Sequence, residues 1–222
     1  MSDLLELIPI AGIRLGTVSA GIKTPGRKDL VLLEMVPGTA CAAVFTLNAF
    51  CAAPVIIARN HVRNPDFGMR YLLVNTGNAN AGTGEPGIAD AMVCLEAAAS
   101  ITGVQQVQIL PFSTGVIGER LPVEKICDAI PAAFQALSEQ GWVDAAEGIL
   151  TTDTKAKGFS VSFNSDGKDY TVTGIAKGAG MIRPNMATML AYIATDMAIE
   201  QPLLQEILHA AMATSFHRIT VD

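Results

Sequence analysis

The sequence predicts an α+β fold. Its first hundred residues hold short apolar, β-rich segments punctuated by Gly/Pro turns, and residues 159–176 alternate with period two around a turn. Helical spacing recurs at 88–100, 122–138 and 200–214. Strands and helices mix without a regular βαβ alternation, which disfavours a doubly wound sheet.

In chain order, LVLLEMV (30–36), AAVFTL (42–47), PVIIA (54–58) and YLLVN (71–75) read as strands, with VPGT (36–39) and NPDFG (64–68) as turns. After the Gly/Asn-rich loop NTGNANAGTGEPG (75–87), Ile88, Met92, Leu95 and Ala99 repeat at helical spacing. VQILP (107–111) reads as the next buried strand. A helix over 122–138 opens with Pro122 at its first helical position, and Pro131 is expected to kink or split it. A shorter helix follows at 142–150. FSVSF (159–163) and DYTVTGIA (169–176) then flank NSDGK, a hairpin signal with Asp166-Gly167 at the turn. The segment after Thr188 is strand-like. Residues 200–214 form an amphipathic helix with Leu203, Leu204, Ile207 and Ala211 on one face. HRITVD begins a further strand.

At 222 residues the chain suits one large domain or two small ones. Half of it is apolar and 16% is charged, against roughly 25% in an average soluble domain. A mean hydropathy of +0.38 implies a large core or apolar surface covered by further polypeptide. Charges such as Asp196 and Glu200 interrupt every run before the ~18 apolar residues of a membrane span. Asp3 and Glu6 stand where a signal peptide would be basic, so the expectation is a cytoplasmic protein without a membrane partner. A net charge of −6, with Arg27-Lys28 as the longest basic cluster, argues against nucleic acid as a partner. Cys41, Cys51, Cys94 and Cys127 lack metal-like spacing and read as reduced core residues. His61, His209 and His217 are scattered, so no metal site is expected; His217 reads as a helix-end residue.

Neither Gly-rich loop fits a phosphate cradle. NTGNANAGTG has Thr83-Gly84 where a Lys-Ser/Thr pair is needed, and KGAGMIR puts Arg183 and Pro184 where a dinucleotide fingerprint needs glycine and a helix. Turns with positive φ account for these glycines. In PFSTGVIG (111–118), Thr114-Gly115 follows a strand and can aim a hydroxyl and a backbone N–H at one developing oxyanion, or simply end the strand in a turn. TTDTKAK (151–157) offers hydroxyls beside Lys155 and Lys157, or a helix cap at Thr152 or Asp153. Lys177 is either a solvated charge or a carboxylate-binding point charge.

The run KGAGMIRPNMATML (177–190) places Ala187-Thr188 between a Gly/Pro-rich bend and a strand. A Thr hydroxyl is a poor nucleophile unless a base lies beside it. Cutting the chain before the Thr supplies that base as its own α-amine.

The blocks AGIKTPGRKDL (20–30), AVFTLNAFCAAPV (43–55), LLVNTGNANAGTG (72–84), PFSTGVIGE (111–119), ILTTDT (149–154) and KGAGMIRPNMATMLAYIATD (177–196), in this order, resemble the ornithine acetyltransferase family of arginine biosynthesis. The resemblance implies an α/β sandwich-like fold akin to the N-terminal-nucleophile enzymes. It implies self-cleavage between Ala187 and Thr188, dividing the chain into an alpha-chain region (1–187) and the start of a beta chain (188–222). Thr188 then becomes the nucleophile, Thr114 and Gly115 the oxyanion hole, and Thr154, Lys177 and Thr188 the substrate-contacting residues. The implied reaction moves acetyl from N2-acetyl-L-ornithine to L-glutamate by a ping-pong route through acetyl-Thr188, with no cofactor; some members also use acetyl-CoA as co-substrate. The implied assembly is a heterotetramer of two alpha and two beta chains.

Family members continue well past HRITVD, into a region with a substrate-binding Glu and a C-terminal Asn/Thr pair, so the chain is expected to be part of a longer enzyme. Two other readings stand beside the transferase. One is a self-processed Thr-nucleophile aminopeptidase or amidase on a related fold. The other is an inactive fragment that serves only as an assembly partner.

Overall fold

A computed structural model describes residues 5–178 and 189–218. Strands β1 (Ile13–Val18), β2 (Leu30–Met35), β3 (Tyr71–Asn78) and β4 (Ile109–Val116) form one sheet in that order. The first two pairings are antiparallel and the β3–β4 pairing is parallel. Helices are α1 (Ala53–Val62), α2 (Gly84–Thr102), α3 (Val123–Gln135), α4 (Trp142–Gly148) and α5 (Gln201–Thr214). A parallel pair needs a crossover, and α2 supplies it between β3 and β4. A second, antiparallel sheet contains β5 (Lys157–Ser165), β6 (Lys168–Lys177) and β7 (Leu190–Thr195).

The unbroken apolar run of β2 follows from its place between two layers. Leu30 and Leu32 join a core with Leu95 and Ala98 of α2 and Ile126 and Ile130 of α3. Val31, Leu33 and Met35 point the other way, into a core with Trp142, Ala145 and Ala146 of α4 and with Ile175 and Tyr192 of the second sheet. Successive side chains of a strand face opposite sides, so a strand covered on both faces has no polar alternation to show. Helices, first sheet and second sheet therefore stack as the layers of an α/β sandwich.

One contact ties the two sheets together, and another seats the segment before β1 on the second sheet. The Phe112 and Tyr192 rings meet edge to face, with centroids 5.2 Å apart, and join β4 to β7. The Ile8 N–H donates to Ser160 Oγ (2.9 Å), while Thr173 Oγ1 donates to the Ile8 carbonyl (2.6 Å).

Several predicted elements hold: β2, β3, α2, α4, the β5–β6 hairpin, β7 and α5. The hairpin turn has Asp166 at φ 52° and Gly167 at φ 77°, the double positive φ of a type I′ turn. Other elements differ. PVIIA is helix, not strand: Pro54 sits in the first turn of α1, and Pro54, Ile57, Ala58 and His61 are buried at helical spacing. AAVFTL is irregular; the Gln205 side chain of α5 accepts from the Ala43 N–H (3.1 Å) and donates to its carbonyl (3.0 Å), taking the place of a partner strand. β1 is not among the predicted strands, although Ile13 and Leu15 are buried on either side of the exposed Arg14. Pro122 is the N-cap of α3, and the helix runs through Pro131 as one element.

The predicted apolar face of α5 is largely uncovered, with Leu203 52% and Ile207 46% exposed. Phe159 is 73% exposed on β5 and Leu47 88% in the irregular segment. Bare apolar surface, as well as two cores, accounts for the high mean hydropathy. No described helix is long and apolar enough to cross a membrane.

Candidate functional site

The site begins at the carboxyl ends of the parallel pair. Thr114 and Gly115 pair with Thr76 and Gly77, and a register shift follows at Asn78. Gly115 has φ +138°, and a Cβ there would lie 2.3 Å from the Gly77 carbonyl carbon. Only glycine lets β4 run this close to β3 in that conformation. The rows NTGNAN and FST interlock beneath: Ser113 Oγ donates to Asn75 Oδ1 (2.5 Å), and Asn75 Nδ2 donates to the Asn78 carbonyl (2.9 Å). Asn78 Oδ1 accepts from the buried Asn80 N–H (2.8 Å), and Asn78 Nδ2 donates to the Arg120 carbonyl (3.0 Å). These asparagines thus stitch the loops flanking β4 together.

Lys177, the last residue of β6, reaches across to β4. It is 3% exposed, so the solvated-charge reading is wrong. Its Nζ donates to Thr151 Oγ1 (2.7 Å) and Thr114 Oγ1 (3.2 Å). Burial lowers its pKa and the like charge of Lys157 adds to that, while Asp153 partly offsets both. Asp153 caps no helix. Its Oδ1 accepts from Lys157 Nζ (2.6 Å) and from the Gly178 N–H (2.6 Å). Burial would raise the Asp153 pKa, but the Lys157 and Gly178 hydrogen bonds and the nearby ammonium charges outweigh it and hold the pKa below its ordinary value.

The loop carrying Thr151 is itself anchored from the far end of the sequence. Arg27 Nη2 donates to the carbonyls of Leu150 (2.8 Å) and Thr151 (2.9 Å). The loop of Arg27 is held by the buried Asp29 carboxylate, which accepts from the N–H groups of Ala20 (2.6 Å) and Ile22 (2.7 Å). Arg27 and Asp29 of the block AGIKTPGRKDL are thus parts of one brace.

Of the predicted site residues, Thr114, Gly115 and Lys177 come together. Thr154 does not join them: it is exposed on the following loop and forms no side-chain hydrogen bond among the described residues. Ala187 and Thr188 lie outside the described residues. The described residues end at Gly178 and resume at Met189, and Lys177 pairs with Leu190 across β6 and β7. Asp153 is expected from sequence only as a helix cap, and Thr151 and Asn75 are not named individually there; a polar residue committed to long-range partners leaves no local pattern.

Thr114, Gly115, Thr151 and Lys177 line one side of an open groove of about 2970 Å³ whose other side includes Leu190 and Leu204. Ligand pockets occupy roughly 300–1,000 Å³. The space is therefore larger than a small molecule needs. The groups present can donate hydrogen bonds to a developing negative charge and balance it with a buried cation.

Residues 14–222 match the model of the ArgJ family. The arginine biosynthesis bifunctional protein ArgJ of Pseudomonas fluorescens (strain Pf0-1) is 58% identical over all of this chain, which covers 54% of that protein. The corresponding protein of Methylococcus capsulatus is 57% identical, with 100% of this chain and 53% of that protein covered. The chain thus spans about half the length of the curated relatives it matches.

Among solved structures, the arginine biosynthesis bifunctional protein argJ of Bacillus halodurans superposes with a TM-score of 0.71 at 32% identity, over 83% of this chain and 98% of that one. The ornithine acetyltransferase of Mycobacterium tuberculosis, solved with ornithine, gives 0.67 at 30%, over 85% and 99%. An L-aminopeptidase D-Ala-esterase/amidase from Ochrobactrum anthropi, described as a variant of the Ntn-hydrolase fold, gives 0.53 at 10%, over 96% and 68%. That likeness shows the fold alone. On fold, site and sequence together, the chain belongs to the ArgJ family.

Proposed function

We propose that this chain carries the nucleophile-bearing part of an acetyltransferase of arginine biosynthesis, which moves acetyl from N2-acetyl-L-ornithine to L-glutamate. The observation that carries the reading is the buried Lys177 ammonium bridging Thr114 and Thr151 beside the strand pair that flanks Ala187-Thr188. The ornithine bound to the related acetyltransferase supports an amino-acid substrate here.

In this reading Thr188 Oγ first attacks the Ala187 carbonyl. The acyl group shifts from nitrogen to oxygen, and water hydrolyses the ester, leaving Ala187 as a carboxylate and Thr188 with a free α-amine. The alpha-chain region (1–187) and the beta chain that begins at Thr188 are the products. An α-amine has a reference pKa of about 7.7–8.0, close to working pH, and serves as general base. It takes the Thr188 hydroxyl proton as Oγ adds to the acetyl carbonyl of N2-acetylornithine. The oxyanion so formed faces the Thr114 hydroxyl and the Gly115 N–H. Collapse breaks the amide bond, the proton passes to the leaving amine, and ornithine departs. The glutamate amine then attacks acetyl-Thr188, giving N-acetylglutamate and restoring the free hydroxyl.

Lys177 balances the negative charge, and Thr154, exposed on the loop after Thr151, is proposed to contact the amino-acid substrate. Acetyl-CoA is proposed as a second donor to the same threonine. Two alpha and two beta chains are proposed to assemble, covering the apolar face of α5.

Intact-mass analysis of the protein expressed at the full length of its gene tests the reading. It should separate into two chains cut between Ala187 and Thr188, and Thr188→Ala should stay uncut. The cut protein should move acetyl from labelled N2-acetylornithine to glutamate. Release of free acetate without N-acetylglutamate would favour the hydrolase instead, and an uncut protein with full activity would overturn the mechanism.

A further inference from the structure

The Thr114 hydroxyl can act in an oxyanion hole only if its proton is free to point at the substrate. A hydroxyl rotates freely and has one proton and two lone pairs, so its direction is set by its neighbours. The ammonium of Lys177 has three protons and no acceptor. The 3.2 Å contact therefore has one polarity: Lys177 donates, Thr114 Oγ1 accepts, and the Thr114 proton is left for another partner. This arrangement lasts only while Lys177 Nζ is held at that point. A lysine side chain has four rotatable bonds and must be pinned by something else.

Thr151 is the pin. Its Oγ1 accepts the shorter Lys177 hydrogen bond, at 2.7 Å. Its backbone is fixed from the other side by the Arg27 guanidinium on the carbonyls of Leu150 and Thr151. The Arg27 loop is braced in turn by the buried Asp29 carboxylate on two N–H groups. On the opposite flank, Asp153 takes the Gly178 N–H at 2.6 Å, fixing the backbone just beyond Lys177. The ammonium is thus held by Thr151 and the backbone beyond it by Asp153, while the second hydroxyl, that of Thr114, is oriented by the ammonium.

We infer that Thr151 is a positioning residue of the acyl-transfer site, acting through Lys177 to aim the Thr114 hydroxyl at the developing oxyanion. The inference rests on the acetyltransferase reading above and deepens it. In this assignment Thr151 acts through Lys177 and not on the substrate itself. Its effect falls on the transition state rather than on substrate binding, because an aimed donor strengthens only as charge develops.

The test uses the protein at the full length of its gene, after self-cleavage, with N2-acetylornithine and glutamate. Thr151→Val keeps the shape and removes the acceptor; Thr151→Ser keeps the acceptor. Thr151→Val should lower kcat roughly 10-fold, below the ~10²–10³ of losing an oxyanion donor outright, with KM for the donor substrate unchanged. Thr151→Ser should stay within about 3-fold of wild type, as expected if only the hydroxyl matters.

The decisive arm is a double-mutant cycle. In a Thr114→Ala background, Thr151→Val should lower kcat by no more than about 3-fold, since the hydroxyl it aims is gone and only the placement of the Lys177 charge remains. Independent, multiplying effects would overturn the inference, as would a Thr151→Val enzyme with normal kcat. Should Thr151→Val fail to fold, Thr151→Ala carries the same cycle. A wild-type protein that transfers no acetyl overturns the functional reading and this inference with it, whereas an active wild type with an indifferent Thr151 overturns the inference alone.

Discussion

Lys177 and Thr114, 63 positions apart in sequence, meet at 3.2 Å between Nζ and Oγ1. The contact joins the end of a strand in the second sheet to the end of a strand in the first. It puts a buried positive charge directly behind a hydroxyl that can face an oxyanion.

Thr114→Ala should lower kcat by about 10²–10³ with little change in KM, the signature of an interaction made in the transition state. Steady-state kinetics on the self-cleaved protein reads this. A near-normal rate would reduce Thr114-Gly115 to a strand-ending turn.

Gly115→Ala should destabilise the fold as well as the site. The residue sits at φ +138°, and the added Cβ would overlap the Gly77 carbonyl carbon at 2.3 Å. A strained backbone conformation alone costs of order 1–3 kcal/mol, before the overlap is counted. The denaturant midpoint should fall by at least that equivalent. An unchanged midpoint would mean that β3 and β4 can separate freely at this point.

Lys177→Met separates stability from function. Burial holds the Lys177 pKa below its ordinary 10.5, so the charged form is disfavoured in the fold relative to the unfolded chain. Between the folded and unfolded pKa values the unfolded state binds more protons, and the contribution of this group to stability rises with pH across that window. At neutral pH the charge is therefore a cost. Lys177→Met should keep or raise the melting temperature while lowering kcat by about 10²-fold or more. A large loss of stability would show that the hydrogen bonds to Thr114 and Thr151 outweigh desolvation.

Asp153 and Lys157 should differ sharply although they form one ion pair. Asp153→Ala leaves the Gly178 N–H without its acceptor and should cost about 1–3 kcal/mol. Lys157 is half exposed, and Lys157→Met should cost under about 1 kcal/mol. The Asp153 pKa is held below 3.8, so its contribution is present above that value and lost as pH falls through the lower folded one. Urea titrations at pH 7 and below pH 3.8 check both points; equal losses for the two variants would remove the backbone clamp from the account.

What the sequence determined by itself was local or carried by family resemblance. The Asp166-Gly167 turn, the β5–β6 hairpin, α2 and α5 follow from turn chemistry and periodicity that neighbouring residues alone supply. The block resemblance determined the family, and with it Thr114, Gly115 and Lys177 as candidates.

The tertiary structure decided the rest. Val55, Ile56 and Ile57 read as a strand because a short apolar run has no distinguishing period, and only packing against β4 makes PVIIA a helix. The irregular course of residues 42–47 depends on Gln205, far along the chain. Thr151 and Asp153 acquire their roles through Lys177, Arg27 and Gly178, all distant in sequence. A hydrogen bond between residues far apart along the chain needs no local periodicity at either end, so its geometry exists only once the sheets have packed.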